Sequence, residues 1–325
     1  MMFFYRGSKK EETGLSGWTE VLRTVLPVLL MILTGVLCRR KHLISREGIG
    51  ALKSVAVNIT LPAVLLHAFA VTSYTWMDVL IPLIMFCFCL AAWYLGRLGQ
   101  RLFHLPSRFI PFLTTGFEAG MLGYALFQML YGADRTAEFA RIDLGQVLFV
   151  FTVYKILLGL DGNRKPSAGE LLRQMAFSPI ILAILAGVLL GATGLYQAMI
   201  PSGAAAVLDA CTDFVSAPTS AVILLTIGYD LVFRDIPWKE TWKAVALRLF
   251  IMLALRAAFA VLLRAFWPDS GLSDAANIMF LLPAPFVLPV FADDENQRVY
   301  VSSVLSVSTL VAVAGFALLA ALRGF

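Results

Sequence analysis

Long, unbroken apolar runs follow one another through most of this 325-residue chain, separated by short polar connections. They fall at 20–38, 49–71, 77–97, 109–131, 143–160, 176–194, 204–231, 241–266, 275–292 and 299–322. Each is of roughly the length a helix needs to cross about 30 Å of hydrocarbon. The apolar residues are continuous rather than alternating, which excludes a barrel of short amphipathic strands. With 59 % hydrophobic and 14 % charged residues, the chain carries more apolar surface than a soluble domain can bury. The same numbers exclude a disordered chain. The expected fold is an all-α polytopic membrane protein with ten transmembrane helices in a lipid bilayer.

Residues 1–18 read as a polar tail without the pattern of a secretory signal. Residues 161–174 form the most polar connection, at mid-chain, and divide it into halves 19–160 and 175–325. The halves share a pattern. Pro27 precedes Gly35 in the first span as Pro179 precedes Gly187 in the sixth, and both pairs lead into Val-Leu. Thr60-Leu61-Pro62 in the second span matches Ser216-Ala217-Pro218 in the seventh. A repeat of five spans, an odd number, must enter the membrane upside down, the inverted plan of many secondary transporters. Placing both termini outside puts fifteen Lys and Arg near inner span ends against eight near outer ones, the arrangement the positive-inside rule favours.

Two spans in equivalent positions cannot be smooth helices. The fourth holds Gly116, Glu118, Gly120 and Gly123; the ninth holds Pro283, Pro285 and Pro289. Clustered glycines weaken a helix, and prolines remove its donors. Interrupted spans at matching positions point to a transporter's midplane site. Half-helix N-termini aimed at the break would favour an anion there. Glu118 sits near the bilayer centre, where a bare carboxylate costs about 2.5–3.5 kcal/mol, so it is expected to be protonated, paired or water-facing. Its role is proton coupling or ligand contact; the alternative is a structural carboxyl bonded to broken backbone. Asn58 and Asp213 precede Pro62 and Pro218, and either line the cavity or satisfy backbone opened by proline. Asp213 and Arg256 lie at similar depth and would pair if their helices touch. His67, Lys155 and Arg248 are expected to snorkel toward span ends.

The net charge of +5 belongs to inner loops and implies no nucleic-acid partner. Cys38, Cys87, Cys89 and Cys211 lie in or beside apolar runs, with no Cys/His cluster, and read as free thiols without a metal. No nucleotide-binding, zinc-protease or serine-hydrolase motif occurs, so neither ATP drive, nor a cofactor, nor an enzyme is expected.

Leu26-Pro27 through Gly35, then Arg39-Arg40 and Leu43, then Asn58-Ile-Thr-Leu-Pro62-Ala resembles the N-terminal signature of the auxin efflux carrier family, which contains the plant PIN carriers. Pro218 through Gly228-Tyr-Asp-Leu, the Pro-rich ninth span and Tyr300–Leu319 resemble its later spans. The resemblance covers nearly the whole chain beyond the tail. It implies ten spans in a five-plus-five inverted repeat with broken, crossing helices 4 and 9. It also implies a scaffold of spans 1, 2, 6 and 7 and a transport unit of spans 3–5 and 8–10. The family's Asn-x-Gly-x-x-Gly-x-Pro falls on residues 118–125, where the glycines match but Glu118 replaces Asn and Ala125 replaces Pro. The implied function is a bacterial-type secondary carrier of a small organic anion in the cell membrane, with proton or sodium coupling and a homodimer left open. The rival readings are a cation–proton antiporter or sodium symporter on the same general fold, and a membrane sensor that binds without transport.

Overall fold

The computed structural model describes residues 15–72, 74–75, 77–161, 169, 173, 177–231, 236–268, 270–292 and 294–324. Its regular structure is helical throughout, with no strand among the described residues. In chain order the helices are α1 (Leu15–Arg40), α2 (Arg46–Ala70), α3 (Met77–Leu102), α4 (Ile110–Leu113), α5 (119–131) and α6 (Ala133–Gly159). They continue with α7 (Pro179–Ala192), α8 (Leu195–Met199), α9 (Ala204–Asp230), α10 (Trp238–Phe266), α11 (Leu272–Leu281) and α12 (Glu295–Gly324). Seven of these, α1, α2, α3, α6, α9, α10 and α12, are long and apolar enough to cross a membrane. The chain is a multi-pass helical membrane protein.

Local chemistry sets several ends. The Ser45 hydroxyl accepts the Gly48 N–H at 3.0 Å and caps α2. Arg39 and Arg40 lie in the last turn of α1, where cations complement the helix dipole. Pro62 has no N–H for the Asn58 carbonyl, and its ring crowds that carbonyl. The helix answers with a wide π-helical turn at Ala56–Thr60 instead of breaking. Pro218 has a larger effect: the α-helical bonding of α9 is interrupted between Ser216 and Thr219.

Glycines bring the helices into backbone contact. A Cβ at Gly35 of α1 would fall 2.0 Å from the Leu225 carbonyl oxygen of α9, and one at Gly228 would fall 2.0 Å from the Ile32 carbonyl oxygen. On α7, a Cβ at Gly187 would fall 2.6 Å from the Leu66 carbonyl oxygen of α2. A Cβ at Gly145 of α6 would fall 2.1 Å from the Pro82 carbonyl oxygen of α3. Edge-to-face rings join α3, α10 and α11, with Phe88 and Phe259 centroids 5.6 Å apart.

Some boundaries move. Helix α6 begins a full two turns before residue 143, because Ala133–Arg135 opens it as a 3-10 turn and Glu138 lies within its first turn. Helices α10 and α12 begin at Trp238 and Glu295 rather than 241 and 299, their charged first turns extending the apolar runs. The proposed tail 1–18 ends in helix from Leu15; residues 1–14 and most of the linker 161–174 lie outside the described residues. The four cysteines are free thiols, Cys38 and Cys89 buried, Cys87 and Cys211 exposed.

Candidate functional site

Two interrupted stretches meet inside the molecule. Between α4 and α5 the chain leaves the helix over Thr115–Phe117; Gly116 has φ +64°, a left-handed conformation that suits glycine. Between α11 and a short turn at Leu288–Phe291, Leu282 is extended and Pro283, Ala284 and Pro285 follow. Buried away from water, such a break must find a partner for each backbone group it frees.

Glu118 and Arg248 provide them. The Glu118 N–H donates to the Pro283 carbonyl at 2.9 Å, so backbone bonds directly to backbone across the two breaks. Glu118 Oε2 accepts the Phe286 N–H at 2.5 Å, and Oε1 accepts the Met121 N–H at 3.2 Å. Glu118 therefore caps α5 and ties the second break to it. The positive end of α5, expected to attract an anionic ligand, is already matched by this carboxylate.

Arg248 was expected to snorkel from α10; it is instead buried, 3 % exposed, between the two breaks. Its guanidinium donates to the carbonyls of Leu113 (2.8 Å), Gly116 (2.8 Å) and Leu282 (2.8 Å), and its Nε also reaches Leu282 at 3.2 Å. One rigid fork thus satisfies carbonyls from both interrupted stretches. The Phe117 ring lies 5.7 Å from the guanidinium carbon.

A second carboxylate, this one fully buried, stands behind the first break. Asp143 of α6 is 3 % exposed and accepts the Tyr124 hydroxyl at 2.9 Å and the Gln146 amide at 2.9 Å. The Gln146 carbonyl oxygen in turn accepts the Phe117 N–H at 3.4 Å. Sequence reasoning put Asp143 at a span end and missed it.

A cavity of about 390 Å³ reaches Phe286 at this junction. Arg39, Arg46, Lys53 and Asp230 line it from α1, α2 and α9, and Pro289, Ser302, Ser306 and Thr309 line it opposite. Lys53 pairs with Asp230. Arg39 donates to the Leu231 carbonyl at 2.9 Å. Arg46 is exposed, with no ion pair or side-chain hydrogen bond among the described residues. The hydroxyls at 302, 306 and 309 share one face of α12, a four-then-three spacing that was the signal available in the sequence.

The sequence-predicted residues divide. Glu118, Pro283 and Pro285 meet at the junction, where a Cβ at Gly116 would lie 3.1 Å from the Pro285 ring. Gly123 is packed close by, its Cβ position 2.6 Å from the Phe139 ring and 2.7 Å from Leu282. Gly120 is half-buried against Leu61, and Pro289 is on the cavity wall. Asn58 and Asp213 are exposed and do not line this cavity; Asn58 bonds Ser54 at 3.0 Å. Pro62 follows the π-helical turn of α2, and Pro218 lies in the interruption of α9. Asp213 does not pair with Arg256, which turns to Asn277 and Ser273 of α11, both at 2.9 Å. His67 does not simply snorkel: its Nε2 lies 3.3 Å from Asp209, which also accepts the Tyr196 hydroxyl at 3.0 Å. Lys155 lies 4.4 Å from the Phe151 ring centroid.

No family model matches the chain. Over 299 residues it is 23 % identical to a protein of Methanothermobacter thermautotrophicus described as an uncharacterized transporter, an alignment that covers 89 % of this chain and 94 % of that one.

Proposed function

We propose that this protein is a secondary transporter that carries a small organic anion across the cell membrane by alternating access. The observation that carries this reading is the junction at Glu118, where two interrupted helical stretches bond to each other at the end of a cavity rimmed by Arg39, Arg46 and Lys53. Irregular backbone at membrane depth is stable only inside protein or beside water, and transporters place it at the substrate site. The cavity lies within the roughly 300–1,000 Å³ range of small-molecule sites. Its rim carries three cations against one carboxylate, which favours an anionic solute. The similarity to a protein described as a transporter points the same way.

The reading includes ten crossings arranged as a five-plus-five inverted repeat, with both termini outside. Support comes from matching roles: Gly35 seats α1 on α9, and its counterpart Gly187 seats α7 on α2. Pro62 and Pro218 each disturb a helix at corresponding places. In this reading α1, α2, α7 and α9 form the scaffold and the remaining membrane helices the moving unit, with the cavity along their seam. Coupling to protons or sodium would involve the half-buried Glu118 or the buried Asp143, the carboxylates beside the junction.

The test is a thermal-shift screen of small organic anions on purified protein, followed by uptake of each stabilising compound into proteoliposomes. Saturable uptake supports the reading. Stabilisation without flux would make the protein a sensor, and proton or sodium flux with no organic solute would make it a cation carrier.

A further inference from the structure

On the flank where α3 packs against α10, an open groove of about 680 Å³ runs along the outer wall. Leu95, Leu98 and Leu102 of α3 face Leu247, Phe250 and Ala254 of α10 across it, and Lys243 is the only charged residue among those that line it. At its floor the helices touch: a Cβ at Gly99 would fall 2.6 Å from the Leu247 side chain. The walls are open, with Leu102 64 % and Phe250 73 % exposed. In a membrane protein a wall of this kind is covered by lipid or by another helix.

Dimensions and charge choose between them. From Lys243 to Ala254 the groove follows eleven residues of α10, about 16 Å at the helical rise, close to the depth of one leaflet's hydrocarbon. A neighbouring transmembrane helix would need a contact that continues through both leaflets. The charged end is also the interfacial end: Trp238 and Trp242, on the turns just before Lys243, are 55 % and 48 % exposed, and tryptophan gathers at the headgroup level. Arg101, also exposed, lies near this end of α3.

We infer that this groove is a binding site for one anionic phospholipid, with an acyl chain laid between α3 and α10 and the phosphate paired with Lys243. The chain buries leucine and phenylalanine surface, and the single cation selects the headgroup.

Native mass spectrometry of the full-length protein, reconstituted with equal amounts of phosphatidylglycerol and phosphatidylcholine and then extracted, tests this. The wild type should retain phosphatidylglycerol over phosphatidylcholine by about fivefold, the factor one basic residue near a membrane surface supplies. Lys243→Gln should bring that ratio near one, Lys243→Arg should keep it, and Ala254→Trp, which fills the groove from its open side, should lower the number of lipids retained. Equal retention of the two lipids by the wild type overturns the inference. So does a Lys243→Gln variant with the wild-type ratio, or an Ala254→Trp variant that holds as many lipids.

Discussion

The Glu118 carboxylate accepts the backbone N–H of Phe286, 168 residues away in the chain, while its own N–H donates to Pro283. One residue thereby joins the two interrupted segments through both its side chain and its backbone. Both carboxylate oxygens act as acceptors, from Phe286 and from Met121. Glutamine keeps the shape but offers one acceptor; its amide nitrogen would face an N–H, donor against donor. Glu118→Gln is therefore expected to lower stability by about 1–3 kcal/mol, the cost of an unsatisfied buried group. Denaturant unfolding in detergent measures this. A variant as stable as the wild type would mean the carboxylate is not the tie described.

Arg248 makes a sharper prediction. Its planar fork reaches Leu113, Gly116 and Leu282 together. A lysine at that position has a single compact ammonium on a flexible stem and cannot span three carbonyls from two segments. Each carbonyl left without a partner costs about 1–3 kcal/mol, so Arg248→Lys should cost roughly 3 kcal/mol or more. Loss of the folded protein from detergent extracts, or a large fall in melting temperature, is the expected result. A melting temperature within a degree or two of the wild type contradicts it.

Helix contact through glycine can be tested against an internal control. Alanine at Gly35 or Gly228 would drive a methyl group into backbone of the facing helix, and overpacking of this kind costs about 1–3 kcal/mol. Gly50 is also helical, but a Cβ there meets nothing within 4 Å. Gly50→Ala should be neutral or stabilising by up to about 1 kcal/mol, the difference in helix propensity. Equal effects at the three positions would remove the packing explanation.

The membrane helices could be read because apolar length depends on local sequence alone, and the interrupted segments because Gly and Pro act on their own backbone. What joins the breaks could not. Arg248 lies ten residues from the start of α10, about 15 Å along the helix, and its partners are carbonyls whose positions are set by two remote segments. Its signal was only one of three arginines, with Arg256 and Arg264, within the apolar run 241–266. Asp143 was hidden by a boundary, since Glu138 and Arg141 looked like a polar connection while the helix already ran through them. Asn58 and Asp213 are the reverse case: polar residues near prolines suggested a cavity lining or a backbone partner, and both are exposed and outside the lining of the cavity described here.

The topology proposed for the termini can be checked on a background with Cys38, Cys87, Cys89 and Cys211 replaced. Lys41→Cys and Gly324→Cys should label from opposite sides of the membrane, the first only after permeabilisation and the second in intact cells. Lys41 falls in the short connection between α1 and α2, where basic residues are dense. The reverse labelling pattern would invert the orientation.

Arg46 separates collection of the solute from the architecture of the cavity. It is exposed at the rim and has no partner among the described residues, so Arg46→Gln should change stability by no more than about 0.5 kcal/mol. Lys53→Gln is different, because it also leaves Asp230 without its ion-pair partner. If the rim gathers an anion by its field, Arg46→Gln should raise KM severalfold and leave the maximal rate unchanged. That difference should shrink as salt rises, since the Debye length falls to about 8 Å at physiological ionic strength and to about 3 Å at 1 M. The measurement is initial uptake against concentration at low and high salt, with the compound identified by the thermal-shift screen. A fall in maximal rate with KM unchanged would instead place Arg46 in the transport step. No change in either constant would show that the solute enters without meeting this rim.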